Sequence, residues 1–264
     1  MKKFTKLLSC ILILVILAVS FASCNVDNGD KLIIATNAEF PPFETKNEAD
    51  EIVGFDVDLI NKVAEKLGME VEFKNMEFDS VINSIQTGSC NAGISGLTIN
   101  EERKKSVDFS TPYYNASQVV IVKIDDAVFT GTTADELNKS LEGKTVGVCN
   151  GFTGGGYITG NDDYEGIPGA TAKSYKNINF AIQDLNNGAI DCIVMDNVVA
   201  KKSASTDQNS GKIKVIDVPL TTEQYGIALK KGNDELKEKI DKVLKELEQE
   251  GYIEELIKKW IDEA

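Results

Sequence analysis

The stretch GFDVDLINKVAEKLGMEVEFK, residues 54–74, reads as a helix feeding directly into a strand. Leu59, Ile60, Val63, Ala64 and Leu67 recur at three- and four-residue spacing, which places them on one helical face and gives the helix a single apolar stripe to bury. Asp56 or a neighbour is positioned to cap its start. Gly68 follows the last apolar residue, where a left-handed C′ position favours glycine. Val71 to Lys74 then follows as a strand. A helix joined to a strand by so short a link is a unit of a parallel α/β sheet.

Outward from this unit the alternation continues in both directions. Leu32 to Thr36 precedes it as a first strand. Asp79 caps a second helix with Val81, Ile82 and Ile85 turned inward and Gly88 after it, and Ala92 to Leu97 follows as a buried strand. The second half repeats the logic with Thr145 to Cys149, a helix through Phe180, Ile182 and Leu185 closed by Gly188, and Ile190 to Met195. Two similar lobes are implied. Gln118 to Lys123 and Gln224 to Leu229 suit crossovers between them, so residues 31–117 with 225–264 are expected to form lobe one and 118–224 lobe two. The last helices carry Leu236, Ile240, Val243, Leu244 and Leu247 in register and need an apolar surface to cover, which returns the chain to lobe one. The expected fold class is α/β, with two Rossmann-like αβ lobes joined by two crossover strands.

The N-terminus reads as an address. Lys2, Lys3 and Lys6 precede an apolar run from Leu7 to Val19 that ends in Ala22-Ser23-Cys24, the pattern of a signal peptide over residues 1–23. The run falls short of the roughly 20 residues a spanning helix needs, although adding Ser20 to Ala22 brings it close, and a retained anchor is the competing reading. Cys24 resembles the lipidated cysteine of bacterial lipoproteins, with Phe21 where such signals usually carry leucine. That resemblance implies a lipidated N-terminus and a short acidic tether over residues 24–30, holding the protein on the outer face of the cytoplasmic membrane.

Charge and composition exclude several classes. The net charge is −14, and removing the leader takes away three lysines and no acids, so the mature chain is more negative still. Phosphate backbones repel such a surface, which argues against nucleic acid as a partner. No internal segment is apolar for long enough to span a membrane, so membrane contact is expected through the lipid alone. The chain has 5 cysteines and no histidine. Without a CxxC pair or a histidine partner, a zinc site or a Cys-His nucleophile has no basis, and no metal or cofactor is expected. Cys90 and Cys192 read as small buried hydrophobes.

One set of residues has the chemistry of amino-acid recognition. A free amino acid presents a carboxylate and an ammonium on one carbon, and burying either without a partner is costly. An arginine for the carboxylate, an aspartate for the ammonium, backbone donors near glycines and aromatics to exclude water meet that need. Arg103 is the one arginine among 28 basic residues. Each candidate also has an ordinary reading. Arg103 at a helix start reads equally as a solvated charge, Phe40 and Phe78 as core, and Asp196 as a cap for the helix after its strand. The glycine run Gly151, Gly154, Gly155, Gly156 lacks the Gly-Lys-Ser/Thr ending of a phosphate loop.

The segments ATNAEFPPFE (35–44), GFDVDL (54–59), MEFDSVI (76–82), GLTINEERKKSVDF (96–109), IDCIVMD (190–196) and QYGIA (224–228), in this order, resemble the family 3 extracellular solute-binding proteins of amino-acid ABC transporters, such as the glutamine- and histidine-binding proteins. The resemblance covers essentially the whole mature chain and implies a type II periplasmic-binding-protein-like fold that closes on its ligand. It implies that Arg103 grips the ligand carboxylate with Thr98 and Thr153, while Asp196 receives the ammonium with the Gly96 carbonyl and the Thr98 hydroxyl. Phe40 and Phe78 would sandwich the ligand side chain, and Asn37, Ser95, Cys149 and Met195 would line its far end.

Departures from the family pattern bear on specificity. Asn37 stands where those members carry aspartate, Phe152 where a small or hydroxylated residue is common, and Met195 where a polar residue sits in others. Uncharged hydrogen-bonding groups at the far end favour a neutral polar ligand such as glutamine or cystine. A Glu39 carboxylate turned into the cleft would favour arginine or lysine instead. The expected partners are a free amino acid and an ABC transporter permease, with the protein acting as a monomer. The rival from another class is a secreted dehydratase-like enzyme on the same fold, which would need a general acid or base from Glu39 or a lysine.

Overall fold

The computed structural model describes residues 31–262, so the signal peptide over 1–23, lipidation at Cys24, the tether to residue 30 and the last two residues lie outside the described residues. In chain order the elements are β1 (Lys31–Thr36), β2 (Glu39–Phe40), β3 (Glu44–Lys46), β4 (Ile52–Val53), α1 (Phe55–Leu67), β5 (Glu70–Asn75), α2 (Phe78–Gln86), β6 (Ala92–Gly93), α3 (Glu101–Lys104), β7 (Val107–Phe109) and β8 (Tyr114–Ala116). They continue with β9 (Gln118–Lys123), α4 (Ala134–Leu141), β10 (Thr145–Cys149), α5 (Thr153–Thr159), β11 (Thr171–Tyr175), α6 (Ile178–Asn187), β12 (Cys192–Asp196), α7 (Asn197–Ser205) and β13 (Ile213–Ile216). The chain closes with β14 (Glu223–Tyr225), β15 (Ala228–Lys230), α8 (Asp234–Gln249) and α9 (Tyr252–Ile257).

Two five-stranded sheets organise these elements. The first runs β5-β1-β6-β15-β7 and the second β11-β10-β12-β9-β13. β1 and β6 pair in parallel, with Ile34 opposite Ala92, and β10 pairs in parallel with both β11 and β12. β15 and β9 enter their sheets antiparallel, each arriving just after the chain has crossed between lobes. A separate two-stranded ladder, β8 with β14, sits at those crossings and sets Tyr114 opposite Tyr225 and Ala116 opposite Glu223. The helix stripes cover the sheets as their spacing dictates. Leu59, Ile60 and Val63 of α1 and Ile240, Val243 and Leu244 of α8 are buried in one core that also holds Ile34 and Leu229 of the first sheet.

Local chemistry departs from the sequence expectations at a few points. Neither Asp56 nor Asp79 caps a helix: α1 starts from Gly54 and α2 from Glu77, both without a side-chain cap bond. Asp56 instead turns into the core and accepts from the Gly96 amide at 2.8 Å and the Tyr113 hydroxyl at 2.9 Å. The strand expected over 92–97 pairs only through Gly93, and Gly96 with φ +52° bends the chain away from the sheet. Gln118 to Lys123 is a strand within the second sheet and the crossing lies just before it. Phe180 stands 52 % exposed while Ala181, Ile182 and Leu185 carry the buried stripe of α6. Gly68 does end α1 in the left-handed region, at φ +71°.

Candidate functional site

In open parallel sheets ligands gather beyond the carboxyl ends of the strands, where chain direction switches and backbone groups are left unpaired. Here the ends of β1, β6, β10 and β12 deliver Asn37, Ser95-Gly96, Gly151-Phe152 and Asp196. Arg103 joins them from α3, a single turn capped by Asn100, whose Oδ1 accepts from the Arg103 amide at 2.9 Å. The guanidinium donates to the Thr98 carbonyl at 2.9 Å and to the Gly151 carbonyl at 3.0 Å, and lies 5.3 Å from the centre of the Phe78 ring. Burial draws the Arg103 pKa down, and Glu223 and Asp196 oppose that shift. Gly151, at φ +74°, holds a turn that side chains rarely adopt and keeps its carbonyl available to the arginine.

Two buried carboxylates face this cation. Asp196 ends β12 with 3 % of its surface exposed, and its Oδ1 accepts from the Tyr225 hydroxyl at 2.6 Å. It heads α7 without capping it through its side chain. Burial, and next the charge of Glu223, push the Asp196 carboxyl up to about 7, against the pull of the Tyr225 bond and Arg103. Glu223 Oε2 accepts from Thr98 Oγ1 at 2.8 Å and from Thr153 Oγ1 at 3.1 Å, so one carboxylate joins hydroxyls carried by the two lobes. Its Oε1 accepts from Thr221 at 2.9 Å and from the Tyr164 hydroxyl at 3.2 Å. Gln118 Nε2 donates to Thr153 Oγ1 at 3.0 Å, and among the described residues Gln118 Oε1 has no donor. A buried acceptor left over beside two carboxylates suits a cationic donor.

The aromatic wall is built from three rings. Phe152 lies edge-on to Phe40 with centroids 5.3 Å apart, and 4.4 Å from Phe78. Phe40, Phe78, Gly96, Thr98, Arg103, Phe152, Thr153 and Asp196 together enclose a cavity of about 10 Å³. Seven of these eight, all but Phe152, are residues that the family resemblance assigns to ligand contact. A second cavity of about 490 Å³ adjoins it, sharing Phe78, Arg103, Phe152 and Thr153 and adding Cys149.

Four further candidates, Asn37, Glu39, Ser95 and Met195, lie outside both linings, and Met195 is buried in the core. Asn37 and Ser95 bond to each other, the Asn37 amide donating to Ser95 Oγ at 3.0 Å, while Ser95 Oγ donates to Glu44 and Asn37 Nδ2 to the Met76 carbonyl. Glu39 is exposed, and its Oε2 accepts from Asn177 Nδ2 at 3.0 Å, bridging β2 to the start of α6. Burial first, then Asp196 and Glu39, push the Cys149 thiol up to about 12, so it stays protonated.

The model of the bacterial extracellular solute-binding proteins, family 3, matches residues 32–263. The chain belongs to that family. An ABC transporter arginine-binding protein of Escherichia coli is 35 % identical over 251 residues, covering 94 % of this chain and 98 % of that protein. The arginine-binding extracellular protein ArtP of Bacillus subtilis is 33 % identical over 260 residues, covering 95 % and 96 %. Among solved structures, an ancestral arginine-binding protein bound to glutamine superposes with a TM-score of 0.77 at 40 % identity, covering 87 % of this chain and 97 % of that one. These relatives are binding proteins, and this family 3 chain is a binding protein rather than an enzyme.

Within this family 3 site, sequence reasoning missed Glu223, Gln118 and Tyr225. Glu223 stands directly before the QYGIA segment, and Gln118 is the one polar residue opening an apolar strand; both were visible as polar residues at element edges. Six further contacts close the lobes on each other around the site: Glu39 with Asn177, Glu77 with Lys176, Glu102 with Asn161, the Glu101 amide with Asp163, Lys105 with Asp162, and Phe78 with Phe152. The ion pairs among them are exposed and screened by water, so closure rests on the buried groups.

Proposed function

We propose that this chain is an exported receptor that binds a free amino acid between its lobes and hands it to an ABC transporter permease. The observation that carries the reading is the arrangement of the Arg103 guanidinium, the buried Asp196 carboxylate and the threonines Thr98 and Thr153 around one enclosed cavity, with Glu223 bonded to both threonines behind its wall. A zwitterion needs both charges paired once water is gone, and this set supplies them. Arg103 takes the carboxylate. Asp196 and Gln118 Oε1 take the ammonium, and Glu223 adds its negative charge from behind the two threonines. Because partners come from residues 31–117 with 225–264 on one side and 118–224 on the other, the ligand binds the closed form better and shifts the hinge toward it.

A long polar side chain fits the far end, and arginine is the first candidate. The Ser95 hydroxyl is already committed as donor and acceptor, and Asn37 uses an amide hydrogen on Met76. The charge of the Glu39 carboxylate at the rim is felt by the Cys149 thiol, after that of Asp196, and this carboxylate suits a guanidinium. The arginine-binding relatives point the same way. Glutamine is the second candidate, supported by the ancestral arginine-binding protein that holds it.

The test is a calorimetric screen of the twenty amino acids against the protein from Asp30 onward. Saturable binding of arginine or glutamine is expected, and heats indistinguishable from dilution for all twenty would sink the reading. Lipid anchoring through Cys24 belongs to the same proposal, with the receptor working as a monomer at the outer face of the membrane. Wild type expressed in a bacterium should partition with membranes and take up labelled palmitate, whereas Cys24→Ala should do neither.

A further inference from the structure

Phe152 packs against both of the rings, Phe40 and Phe78, that the family resemblance assigns to the ligand side chain. Its ring touches Phe40 and Phe78 at centroid distances of 5.3 and 4.4 Å, while Phe40 and Phe78 make no ring pair with each other. The cavity left beside it is about 10 Å³, room for about one water. On its other side lies the cavity of about 490 Å³, which Phe152 also lines together with Phe78, Arg103 and Thr153. The ring therefore stands as a partition between a filled slot and an open compartment.

The backbone around it is built to turn. Gly151, at φ +74°, precedes Phe152, and Gly154, Gly155 and Gly156 follow within α5. Four of the six residues from Gly151 to Gly156 are glycine, which carries the largest conformational freedom and weakens helix. Phe152 heads α5 without any side-chain cap bond, so moving the ring breaks no hydrogen bond of its own. What holds it is contact with Phe40 and Phe78 and packing against the core.

We propose that Phe152 is an internal occupant of the ligand side-chain slot, and that ligand enters by displacing the ring into the adjoining cavity. Phe152 is then a specificity determinant as well as a gate. The ligands that bind best are those whose side chain ends in a flat group, guanidinium or amide, able to replace the lost ring contacts with Phe40 and Phe78. This rests on the amino-acid-binding reading above. The cost of displacement reduces the apparent affinity by the fraction of molecules with the ring swung out.

The experiment compares wild type with Phe152→Ala by calorimetry, using arginine and glutamine as probes. Two aromatic contacts of ordinary strength correspond to roughly a tenfold gain in affinity on removing the ring. In parallel, 4-fluorophenylalanine placed at position 152 of the otherwise wild-type chain reports ring position through its fluorine resonance. The signal should move on saturation with the better probe, as the ring leaves the field of Phe40 and Phe78. Equal or weaker binding by Phe152→Ala, or an unmoved fluorine signal at saturation, overturns the gate while leaving amino-acid binding intact. Absence of binding by both proteins to every amino acid overturns the underlying reading and the gate with it.

Discussion

Arg103 Nη2 donates to the Gly151 carbonyl at 3.0 Å, a bond that joins α3 of one lobe to the glycine turn of the other. The second terminal nitrogen holds Thr98 of its own lobe at 2.9 Å. One planar fork thus spans the cleft, a geometry that lysine, with a single point charge, does not reproduce. A ligand carboxylate arriving beside it gains a cation that is already aimed and partly desolvated.

Arg103→Ala is therefore expected to remove most amino-acid binding. Truncating one side of a buried charge pair costs about 2 to 5 kcal/mol, or about 30-fold to several thousand-fold in affinity. Arg103→Lys should fall between the two. Calorimetry with arginine and glutamine reads the loss, and an alanine variant within about threefold of wild type would show that the carboxylate is held elsewhere.

Asp196 makes binding depend on pH. Its carboxyl is pushed up to about 7 by burial first and the Glu223 charge second, so near pH 6 it is mostly protonated. An ammonium ligand requires the ionised form, and binding must then release the proton. Affinity should rise with pH up to about 7 and flatten above, by at most about tenfold per unit below it. Glu223→Gln removes the second cause and should move the midpoint to lower pH. Titrations at about pH 6 in buffers of different ionisation heat expose the released proton; equal apparent enthalpies would contradict the assignment.

A second acid pair governs stability. Glu44 and Asp56 are fully buried at 0 % exposure, and each keeps one oxygen, Oε2 and Oδ1, without a donor among the described residues. The two carboxyls lie within hydrogen-bonding reach of each other, and a shared proton satisfies both orphaned oxygens. Burial pushes Asp56 up to about 6 and Glu44 well above the usual carboxylate range. The folded state therefore keeps protons that the unfolded chain releases near pH 4, and stability falls as pH rises from about 4 to about 6, with Glu44 carrying the fall to higher pH. Glu44→Gln supplies a permanent donor without charge and should flatten that fall. Urea midpoints at both pH values decide, and an unchanged slope in the variant would refute the shared proton.

The fold was legible because its signals are local. Leu59, Ile60 and Val63 declare their helix face within one turn and a half, and Gly68 and Gly188 mark ends that both take up left-handed geometry, at φ +71° and +76°. Arg103, Thr98 and Asp196 were named through the family resemblance rather than from a local signal, and the structure brings all three to the lining of one cavity. Glu223 was not named. Its partners Thr98, Thr153 and Tyr164 lie 125, 70 and 59 residues away, and only the crossing geometry of β8 and β14 brings them together. Asp56 was misread as a cap because a cap and a buried acceptor share one sequence signature, and what separates them is the Gly96 amide 40 residues on. Phe152 was noticed as a departure from family pattern, yet its place between Phe40 and Phe78 depends on how far the lobes close.

The last prediction concerns which side chain the cleft reads. Glu39 bridges to Asn177 through Oε2, which leaves the carboxylate at the far rim, close enough to Cys149 to raise its pKa. A guanidinium reaching that rim offers several donors to one carboxylate, whereas the amide of glutamine offers two hydrogens and no charge. Wild type should therefore prefer arginine to glutamine. Glu39→Gln should lower arginine affinity at least tenfold and leave glutamine within about threefold, because a charge-assisted bond is lost in one case only. Asn177→Ala frees Glu39 from its neutral partner and should leave the arginine preference intact or increase it. If glutamine binds best in wild type and Glu39→Gln changes neither affinity, the rim carboxylate plays no part in selection and the neutral polar reading of the cleft replaces the cationic one.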